Sequence, residues 1–371
     1  HHNNTRNHIH LHPMNKPHGS RCVIESVPSE CACKGDLIVA PEKVSICGTD
    51  IQILRRLRDD PALIVGHEGL SKVVARGQSV HEFKEEDRVI INPTDPTNPN
   101  FLLGHNLNGL LQERVKIPAV AVDAGLVTHV SQSISASRGT LIEPLAVVFY
   151  ALECLELEHP DSLLIIGDGL IGNLASLVAS YVFNKTIASI TVVHRDQLGF
   201  EWTQSFNPHV VNVRSVREAS KYVGNSVALL SATHRGGTEP LLTESARVLG
   251  ARLVAAHLVG GLPPGSTSLE FPDVDLHQVR MVNTGGSWPP NRVVFSDSRR
   301  MTVLTGNRGV STTRLKNASI FLQNLGSESL INRLITHDCG VQEGVEILNK
   351  MINSCSRVID GLLVMRLVIS F

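Results

Sequence analysis

The stretch "LLIIGDGLIGNLASL" (residues 163–177) places three glycines between a run of apolar residues and a helical pattern. The glycines have the spacing G-x-G-x-x-G, which is a weak signal alone. Here it follows a buried-type strand and opens a helix, which is the context in which the motif binds a dinucleotide pyrophosphate. A glycine-rich turn without a ligand is the alternative. The residues that we expect to contact the cofactor in this turn are Gly167, Gly169, Leu170, Ile171 and Gly172.

The segments around this stretch indicate two domains. Between residues 151 and 314, short apolar runs alternate with helix-length segments, which is typical of βαβ units and a doubly wound parallel sheet. Residues 21–150 instead contain short strand-like segments broken by glycine, proline and asparagine, and we assign 315–371 to the same β-rich domain. The sequence therefore predicts an α/β chain with a Rossmann cofactor domain and a second, β-rich domain. The His-rich residues 1–20 are interpreted as a tag or leader and set aside.

The end of the second Rossmann strand, "ITVVHRD" (190–196), bears on the choice of cofactor. An acid at this place usually binds the ribose 2′-hydroxyl of NAD. If His194 occupies that place, the carboxylate is missing, and Arg195 suits the 2′-phosphate of NADP. If Asp196 reaches back, NAD fits instead. NADP is therefore slightly favoured, and an exposed, solvated Arg195 is the alternative.

A second group of chemically active residues lies in the β-rich domain. "VSICGTDIQ" (44–52) contains Cys47, and "GHEGL" (66–70) contains His67 and Glu68. A thiol, an imidazole and a carboxylate are zinc ligands, and three protein ligands with one open position are typical of a catalytic site. Taken singly, Cys47 fits a small buried hydrophobe and His67 a core histidine.

The composition limits the classes of partner. The 371 residues carry a net charge of -1 with a pI of about 7.1, so nucleic acid is not an expected partner. No apolar run reaches the ~20 residues that a membrane span needs. Seven scattered cysteines do not indicate a disulfide framework, which favours a reducing compartment and hence the cytoplasm.

Taken together and in order, "CGTD", "GHE", "DRV", "IEPLAV", "GDGLIG" and "LITH" resemble the zinc-dependent medium-chain alcohol and polyol dehydrogenases, with the sorbitol, threonine and sugar dehydrogenase branch most similar. The resemblance implies a GroES-like catalytic domain, one catalytic zinc and NAD(P). It also implies a secondary alcohol or ketone of a polyol, sugar or cyclitol as substrate, a site in the cleft between the domains, and a homodimer or homotetramer.

The resemblance also implies roles for individual residues. Cys47 and His67 match zinc ligands, and Glu68 and Glu143 match carboxylates that share the remaining coordination directly or through water. Thr49 matches the hydroxyl that begins the proton relay, and Asp50 matches an acid that orients the ligand histidine. Gln52 stands near the place of a relay histidine in some members, so the exit path of the proton differs here.

Two segments depart from the family pattern. The region "INPTDPTNPNFLLGHNLNG" (91–109) contains no cysteine, whereas the family often carries a four-cysteine zinc lobe there, so we expect one zinc per subunit. His105 in this region either lines the substrate cleft or is a surface histidine. The basic run 291–313 is interpreted as an enlarged loop over the cofactor or at a subunit contact, or as a source of cations for an anionic substrate.

Two other classes of protein stay open from the sequence. One is a zinc-free reductase of the same superfamily, against which the set of Cys47, His67, Glu68 and Glu143 argues. The other is a nucleotide-binding protein without catalysis, against which the presence of Thr49 and Asp50 beside the ligands argues weakly.

Overall fold

The computed structural model describes residues 5–13, 20–55, 60–184 and 186–371. Its strands are β1 (Thr5–Pro13), β2 (Ser20–Pro28), β3 (Leu37–Ile46), β4 (Glu68–Arg76), β5 (Arg88–Ile91), β6 (Val115–Ile117), β7 (Val127–His129), β8 (Ser162–Ile166), β9 (Ser189–Val193), β10 (Val211–Val213), β11 (Val227–Ser231), β12 (Leu253–Leu258), β13 (Val293–Ser296), β14 (Met301–Gly306), β15 (His337–Gly340), β16 (Val358–Ile359), β17 (Leu362–Leu363) and β18 (Leu367–Ser370). Its α-helices are α1 (Gly48–Leu54), α2 (Ala119–Asp123), α3 (Ala136–Gly139), α4 (Ile142–Glu156), α5 (Leu170–Val182), α6 (Gln197–Phe206), α7 (Val216–Ala219), α8 (Thr238–Leu249), α9 (Leu276–Met281), α10 (Thr312–Gln323) and α11 (Val341–Ser354).

The chain divides into two compact units. Unit 1 comprises His1–Glu143 and Thr312–Phe371, and unit 2 comprises Pro144–Ser311. The bounds expected from the sequence, at 150 and 315, fall inside α4 and α10. Helix α4 continues across the first border between the units, after Glu143, so no turn signal marks it, whereas α10 begins at Thr312, directly after the second border.

Unit 1 is built on a seven-stranded sheet with the order β15-β18-β3-β4-β5-β7, and β6 also pairs with β3. Most of its pairs are antiparallel, with β15 and β18 parallel. The ladder of β3 with β4 places Glu68 opposite Ser45. This register brings the start of β4 beside the end of β3, two residues before Cys47.

Strand β1 belongs to unit 1 and corrects the decision to set residues 1–20 aside. It pairs antiparallel with β2 along its whole length. The Ile9 amide donates to the carbonyl of Leu111 at 2.9 Å, and Ile9 is buried in the core of the unit. The many histidines of the tract obscured this apolar residue. Residues 1–4 and 14–19 lie outside the described part, and the interpretation as a tag or leader stays a prediction.

The cysteine-free region after β5 is held by Asn and Asp side chains that bond to nearby backbone amides. Asp95 accepts from Thr97 at 2.9 Å and Asn106 accepts from Leu102 at 2.7 Å. Such local bonds hold a loop in turns, and Phe101 and Leu103 of this region are also buried in the core of the unit. The loop then runs beside the segment that precedes His67, where the Gly109 amide donates to Ile64 at 2.7 Å.

Unit 2 contains a second seven-stranded sheet, with the order β10-β9-β8-β11-β12-β14-β13. All neighbouring pairs are parallel except β13 with β14. Strands β8 and β11 are buried at every position, as expected where helices cover both faces of a parallel sheet. The strand order reverses between β8 and β11, and doubly wound folds bind ligands at such a point. The predicted fold class is confirmed.

The basic run 291–313 is not an enlarged loop, because β13 and β14 form a hairpin at one edge of this sheet. Buried Arg300 pairs with Glu270 at 2.8 Å, and Arg299 pairs with the same carboxylate at 3.2 Å. The interpretation of "SDSRR" as a source of cations for a substrate is wrong for Arg300, which is buried and paired. The Arg299 side chain is 53% exposed, and for it the interpretation stays a prediction.

None of the helices among the described residues combines the length and the apolar character needed to cross a membrane.

Candidate metal centre and nucleotide site

Cys47 lies at the junction of β3 and α1, where it caps the helix. Its Sγ accepts from the Asp50 amide at 3.4 Å, and the Asp50 carboxylate accepts from the Cys47 amide at 3.0 Å. This reciprocal arrangement is a capping box, which needs its two side chains three residues apart. The spacing of "CGTD" therefore fixes the position of the thiol.

His67 and Glu68 approach this thiol from the start of β4. Gly66 before them has φ +102, and a Cβ there would lie 3.0 Å from Val44, so the turn requires glycine. His67 Nε2 lies 3.8 Å from Cys47 Sγ and 3.5 Å from Glu68 Oε1. The Cys47 thiol and the Glu68 carboxylate thus both lie close to the same nitrogen of the His67 ring, Nε2.

Glu143 joins the group from the first turn of α4. Ligand atoms of His67, Glu68 and Glu143 lie within 4.8 Å of one another, as do those of Cys47, Asp50 and His67. Arg366 contacts the outer face of this group, since its Nη1 lies 2.5 Å from Glu68 Oε2 and its Nη2 donates to the Thr140 carbonyl at 2.6 Å. Arg366 is 1% exposed, so this ion pair is shielded from water.

Burial and neighbouring charges shift the pKa of each group. Burial raises the pKa of Cys47 to about 11, with Asp50 adding to the effect. Burial also opposes a charge on His67, but Cys47 beside it holds the pKa of the imidazole well above its usual value. Burial and the negative charge of Glu68 raise the pKa of Glu143 to about 8. Burial works against ionised Glu68 as well, yet Arg366 and His67 keep its pKa well below the usual range.

The separations of the donors fit a zinc ion. Tetrahedral coordination with ordinary Zn–S and Zn–N lengths places sulfur and nitrogen about 3.6 Å apart, and nitrogen and oxygen about 3.4 Å apart. The corresponding separations here are 3.8 Å and 3.5 Å. The two buried carboxyl groups also indicate a cation site, because both cannot ionise unless a cation is bound beside them. Cys47, His67, Glu68 and Glu143 are thus a donor set that suits zinc.

The pKa values predict how pH changes the stability of the metal-free protein. The pKa of Glu143 in the fold is about 8, above its unfolded value of about 4.3, so its contribution is complete below the unfolded pKa and is lost as pH rises through the folded one. The raised pKa of His67 acts in the same direction. Glu68, whose pKa is lowered, contributes constantly above about pH 5.

We therefore expect the free energy of unfolding of chelator-treated protein to fall between about pH 5 and pH 8. The free energy of unfolding can fall by at most about 1.4 kcal/mol per pH unit for each proton that the folded state binds and the unfolded state does not. Denaturant titrations at several pH values measure it, and Glu143→Gln should flatten the slope. A slope that Glu143→Gln leaves unchanged contradicts this account.

Of the residues expected at the metal, the structure brings together Cys47, Asp50, His67, Glu68 and Glu143. Thr49 lies in α1, but its side chain is outside the described part. Arg366 was missed, because "GLLVMRLVIS" (361–370) contains no motif of the family. A single arginine in an apolar run was the available signal, since a buried cation needs a buried anion.

The glycine-rich turn of unit 2 has the geometry expected for a nucleotide site. Gly167 has φ +115, and a Cβ there would lie 2.2 Å from the Ala232 carbonyl. A Cβ at Gly172 would lie 1.8 Å from the Gly167 carbonyl, whereas one at Gly169 would meet nothing within 4 Å. Two glycines are thus required by the fold, and Gly169 leaves open space before the first turn of α5.

This difference predicts opposite effects for two alanine substitutions. Gly172→Ala should destabilise unit 2, because the new methyl group overlaps the backbone. Gly169→Ala should leave the melting temperature almost unchanged, since its φ is -79, yet weaken NAD(P)H binding at least about tenfold by filling the space that the pyrophosphate needs. Thermal unfolding and fluorescence titration measure the two effects. Equal nucleotide binding by Gly169→Ala and the wild type would refute this site.

His194 follows β9 as expected, but its environment differs from the prediction. Its Nδ1 lies 2.8 Å from Asp168 Oδ2 and its Nε2 lies 2.7 Å from Asn212 Oδ1. Both ring nitrogens are therefore used within the unit, and the ring is buried. The geometry does not support direct contact of His194 with a ribose; instead, the histidine holds Asp168 inside the glycine-rich turn.

The exposed groups beside His194 are arginines. Asp196 caps α6 by accepting from the Gly199 amide at 2.8 Å, so this carboxylate is used at the helix. Arg195 is exposed. Arg214, which follows β10, donates to the Arg195 carbonyl at 3.0 Å. Sequence reasoning missed Arg214, because only the sheet order places β10 beside β9.

Comparison with known proteins agrees with these features. Residues 33–124 match the alcohol dehydrogenase GroES-like domain family. A zinc-type alcohol dehydrogenase-like protein of Haemophilus influenzae is 28% identical over 45% of this chain and 52% of its own length. The L-arabinitol 4-dehydrogenase of Aspergillus oryzae is 28% identical over 60% of this chain and 61% of its own.

The chain thus spans about half to three fifths of the length of these curated relatives. Among solved structures, galactitol-1-phosphate dehydrogenase from Escherichia coli is similar in fold, with a TM-score of 0.71 and 17% identity over 98% of this chain and all of the other.

Proposed function

We propose that this chain, which belongs to the zinc-type medium-chain alcohol and polyol dehydrogenase family, transfers a hydride between NAD(P) and a secondary alcohol or ketone. The observation that carries the proposal is that the His67 imidazole lies at zinc-compatible distances from the Cys47 thiol and the Glu68 carboxylate. Glu143 lies within 4.8 Å of His67 and Glu68. The glycine-rich turn of unit 2 supports nucleotide binding. The substrate class, a polyol, sugar or cyclitol, follows from the resemblance of "GHE" and "LIEPLAV" to the polyol branch.

The residues of unit 1 have distinct parts in this proposal. Cys47 and His67 would hold zinc, and Glu68 and Glu143 would share the remaining coordination directly or through water. Bound zinc would supply Lewis acidity that lowers the pKa of an alcohol, and a bound nicotinamide would supply the hydride chemistry. Asp50 holds the thiol through the helix cap and faces the other nitrogen of His67 at 3.8 Å.

Proton transfer in the proposal uses Thr49 and one of the two carboxyl groups. The resemblance assigns the Thr49 hydroxyl to the first proton transfer. Glu68 or Glu143, acting with a bound water, would take the place in the relay that Gln52 cannot fill.

NADP is the favoured cofactor. Both ring nitrogens of His194 are bonded within the unit, and one oxygen of Asp196 caps α6, so neither side chain is directed at a ribose by its bonds. Arg195 and Arg214 lie together at the ends of neighbouring strands, and guanidinium groups pair well with phosphate.

We expect Arg195→Ala and Arg214→Ala each to weaken NADPH binding about fivefold, which is the scale of an exposed ion pair, and to leave NADH binding unchanged. Fluorescence titration with both nucleotides measures the effect without turnover. Lys221→Ala, which removes an exposed cation after α7, is the matched control. A wild type that binds NADH more tightly than NADPH would overturn the choice of NADP.

Turnover tests the proposed function as a whole. Purified protein is mixed with NADP or NAD and with a panel of polyols, sugars and cyclitols, and reduced nicotinamide is followed by absorbance. We expect reduction of the cofactor with at least one secondary alcohol and loss of that activity after chelation. Activity that persists in protein shown to contain no metal would instead identify a zinc-free reductase.

The remaining parts of the proposal concern location and assembly. All seven cysteines are free, which suits a reducing compartment such as the cytoplasm. Assembly into dimers or tetramers follows from the resemblance to the family.

A further inference from the structure

The loop after β5 places a second imidazole against the candidate metal ligand. The rings of His105 and His67 have centroids 5.4 Å apart and planes inclined by 38°. The loop is held there by its backbone, because the Ala62 amide donates to the His105 carbonyl at 2.7 Å. Gly104 has φ +78, and a Cβ there would lie 2.9 Å from the Gly66 carbonyl. His105 is 8% exposed and is therefore not a surface histidine.

The ring of His105 is itself anchored. Its Nδ1 lies 3.3 Å from Asp60 Oδ2. A carboxylate bonded to one ring nitrogen fixes the plane of an imidazole. The contact with His67 therefore comes from a ring whose orientation is already set.

His67 needs such a contact. Its Nδ1 lies 3.8 Å from Asp50 Oδ1, beyond hydrogen-bond length, and both atoms are buried without a hydrogen-bond partner among the described residues. Ligand histidines are usually oriented by a hydrogen bond from the nitrogen that does not bind the metal. Rotation about χ2 of histidine is otherwise only weakly restricted. Packing against His105 limits this rotation and keeps Nε2 directed at Cys47 and Glu68.

We propose that His105, anchored by Asp60, is a positioning residue for the metal centre, which it serves by fixing the plane of the His67 ring. The inference rests on the proposed function, since it concerns the zinc of that site. Both the flat ring of His105 and its bond to Asp60 matter in this role. A phenylalanine at this position keeps the ring and loses the bond, so it should replace the histidine only in part.

The test measures zinc affinity by competition with a chromophoric chelator, together with the visible spectrum of cobalt-substituted protein, which reports ligand geometry. We expect His105→Ala to weaken zinc binding about tenfold, at the lower end of the range for residues that orient metal ligands, and to change the cobalt spectrum. His105→Phe should recover part of both properties, because it keeps the ring without the bond to Asp60, and Asp60→Ala should shift both to a similar intermediate extent.

Asn108→Ala is the matched control. It removes the bond from the Leu63 amide to Asn108 at 3.2 Å, which ties the same loop to the same segment without touching His67. We expect this variant to keep its zinc affinity. Equal zinc loss in Asn108→Ala and His105→Ala, or unchanged affinity and spectrum in His105→Ala, would overturn the positioning role. A wild type that binds no zinc would overturn the proposed function, and this inference with it.

Discussion

Replacing Cys47 by serine is expected to remove the bound zinc and to lower kcat/KM about a thousandfold or more. The reason is that Sγ, 3.8 Å from His67 Nε2, would be the thiolate donor of the proposed site, and that a serine hydroxyl is a poor zinc ligand at neutral pH. Loss of the Lewis acid removes several kcal/mol of stabilisation from the transition state, and each 1.4 kcal/mol corresponds to about a factor of ten in rate. Zinc content and turnover are measured on the same preparation.

The control for this substitution is Cys31→Ser, which changes an exposed cysteine far from the donor group in sequence. It should leave the zinc content and the rate unchanged. Turnover of Cys47→Ser at nearly the wild-type rate would mean that Cys47 is a buried hydrophobe and that the chain is a zinc-free reductase. Thermal unfolding excludes the trivial case of an unfolded variant.

Replacing Arg366 by methionine is expected to lower the free energy of unfolding by about 3–5 kcal/mol, the usual cost of removing one partner from a buried ion pair. Arg366 is 1% exposed and Glu68 is 4% exposed, so the carboxylate would be left buried without its closest cation. The Thr140 carbonyl would lose its donor as well. Denaturant titration of the metal-free protein measures the change.

The double variant Glu68→Gln with Arg366→Met should recover most of the lost stability, because neither charge then stays buried alone. Lys350→Met, which removes an exposed partner of Asp360, should change the free energy of unfolding by less than about 1 kcal/mol. If Arg366→Met behaves like Lys350→Met, the buried pair does not stabilise unit 1.

The fold class was predictable because local periodicity carries it. The buried run before Gly167 and the helical pattern after it identify β8 and α5, and successive units of this kind imply a parallel sheet. The hairpin of β13 and β14 was not predictable, because a segment rich in arginine has the composition of an exposed loop. The partner of these arginines, Glu270, is brought beside them only by the fold. Strand β1 was missed because a tract rich in histidine has the composition of a tag.

The candidate metal site was predictable where its residues lie in short motifs. Cys47 and Asp50 form one helix cap, and His67 and Glu68 are adjacent. Arg366 comes from the opposite end of the chain and has no motif, so only the pairing of β18 with β3 places it at the site. His105 lies in a loop whose path depends on backbone bonds to the segment before His67, and sequence periodicity does not report such bonds.

The central claim is that one zinc ion is held by Cys47, His67, Glu68 and Glu143, and elemental analysis of the purified protein tests it most directly. The protein is prepared without chelators and with residues 1–4 removed, so that His1 and His2 cannot bind the metal. We predict about one zinc per chain, lost in Cys47→Ser and in His67→Ala and retained in Cys31→Ser. Protein that contains no zinc, or that keeps its zinc in both ligand variants, would contradict the claim.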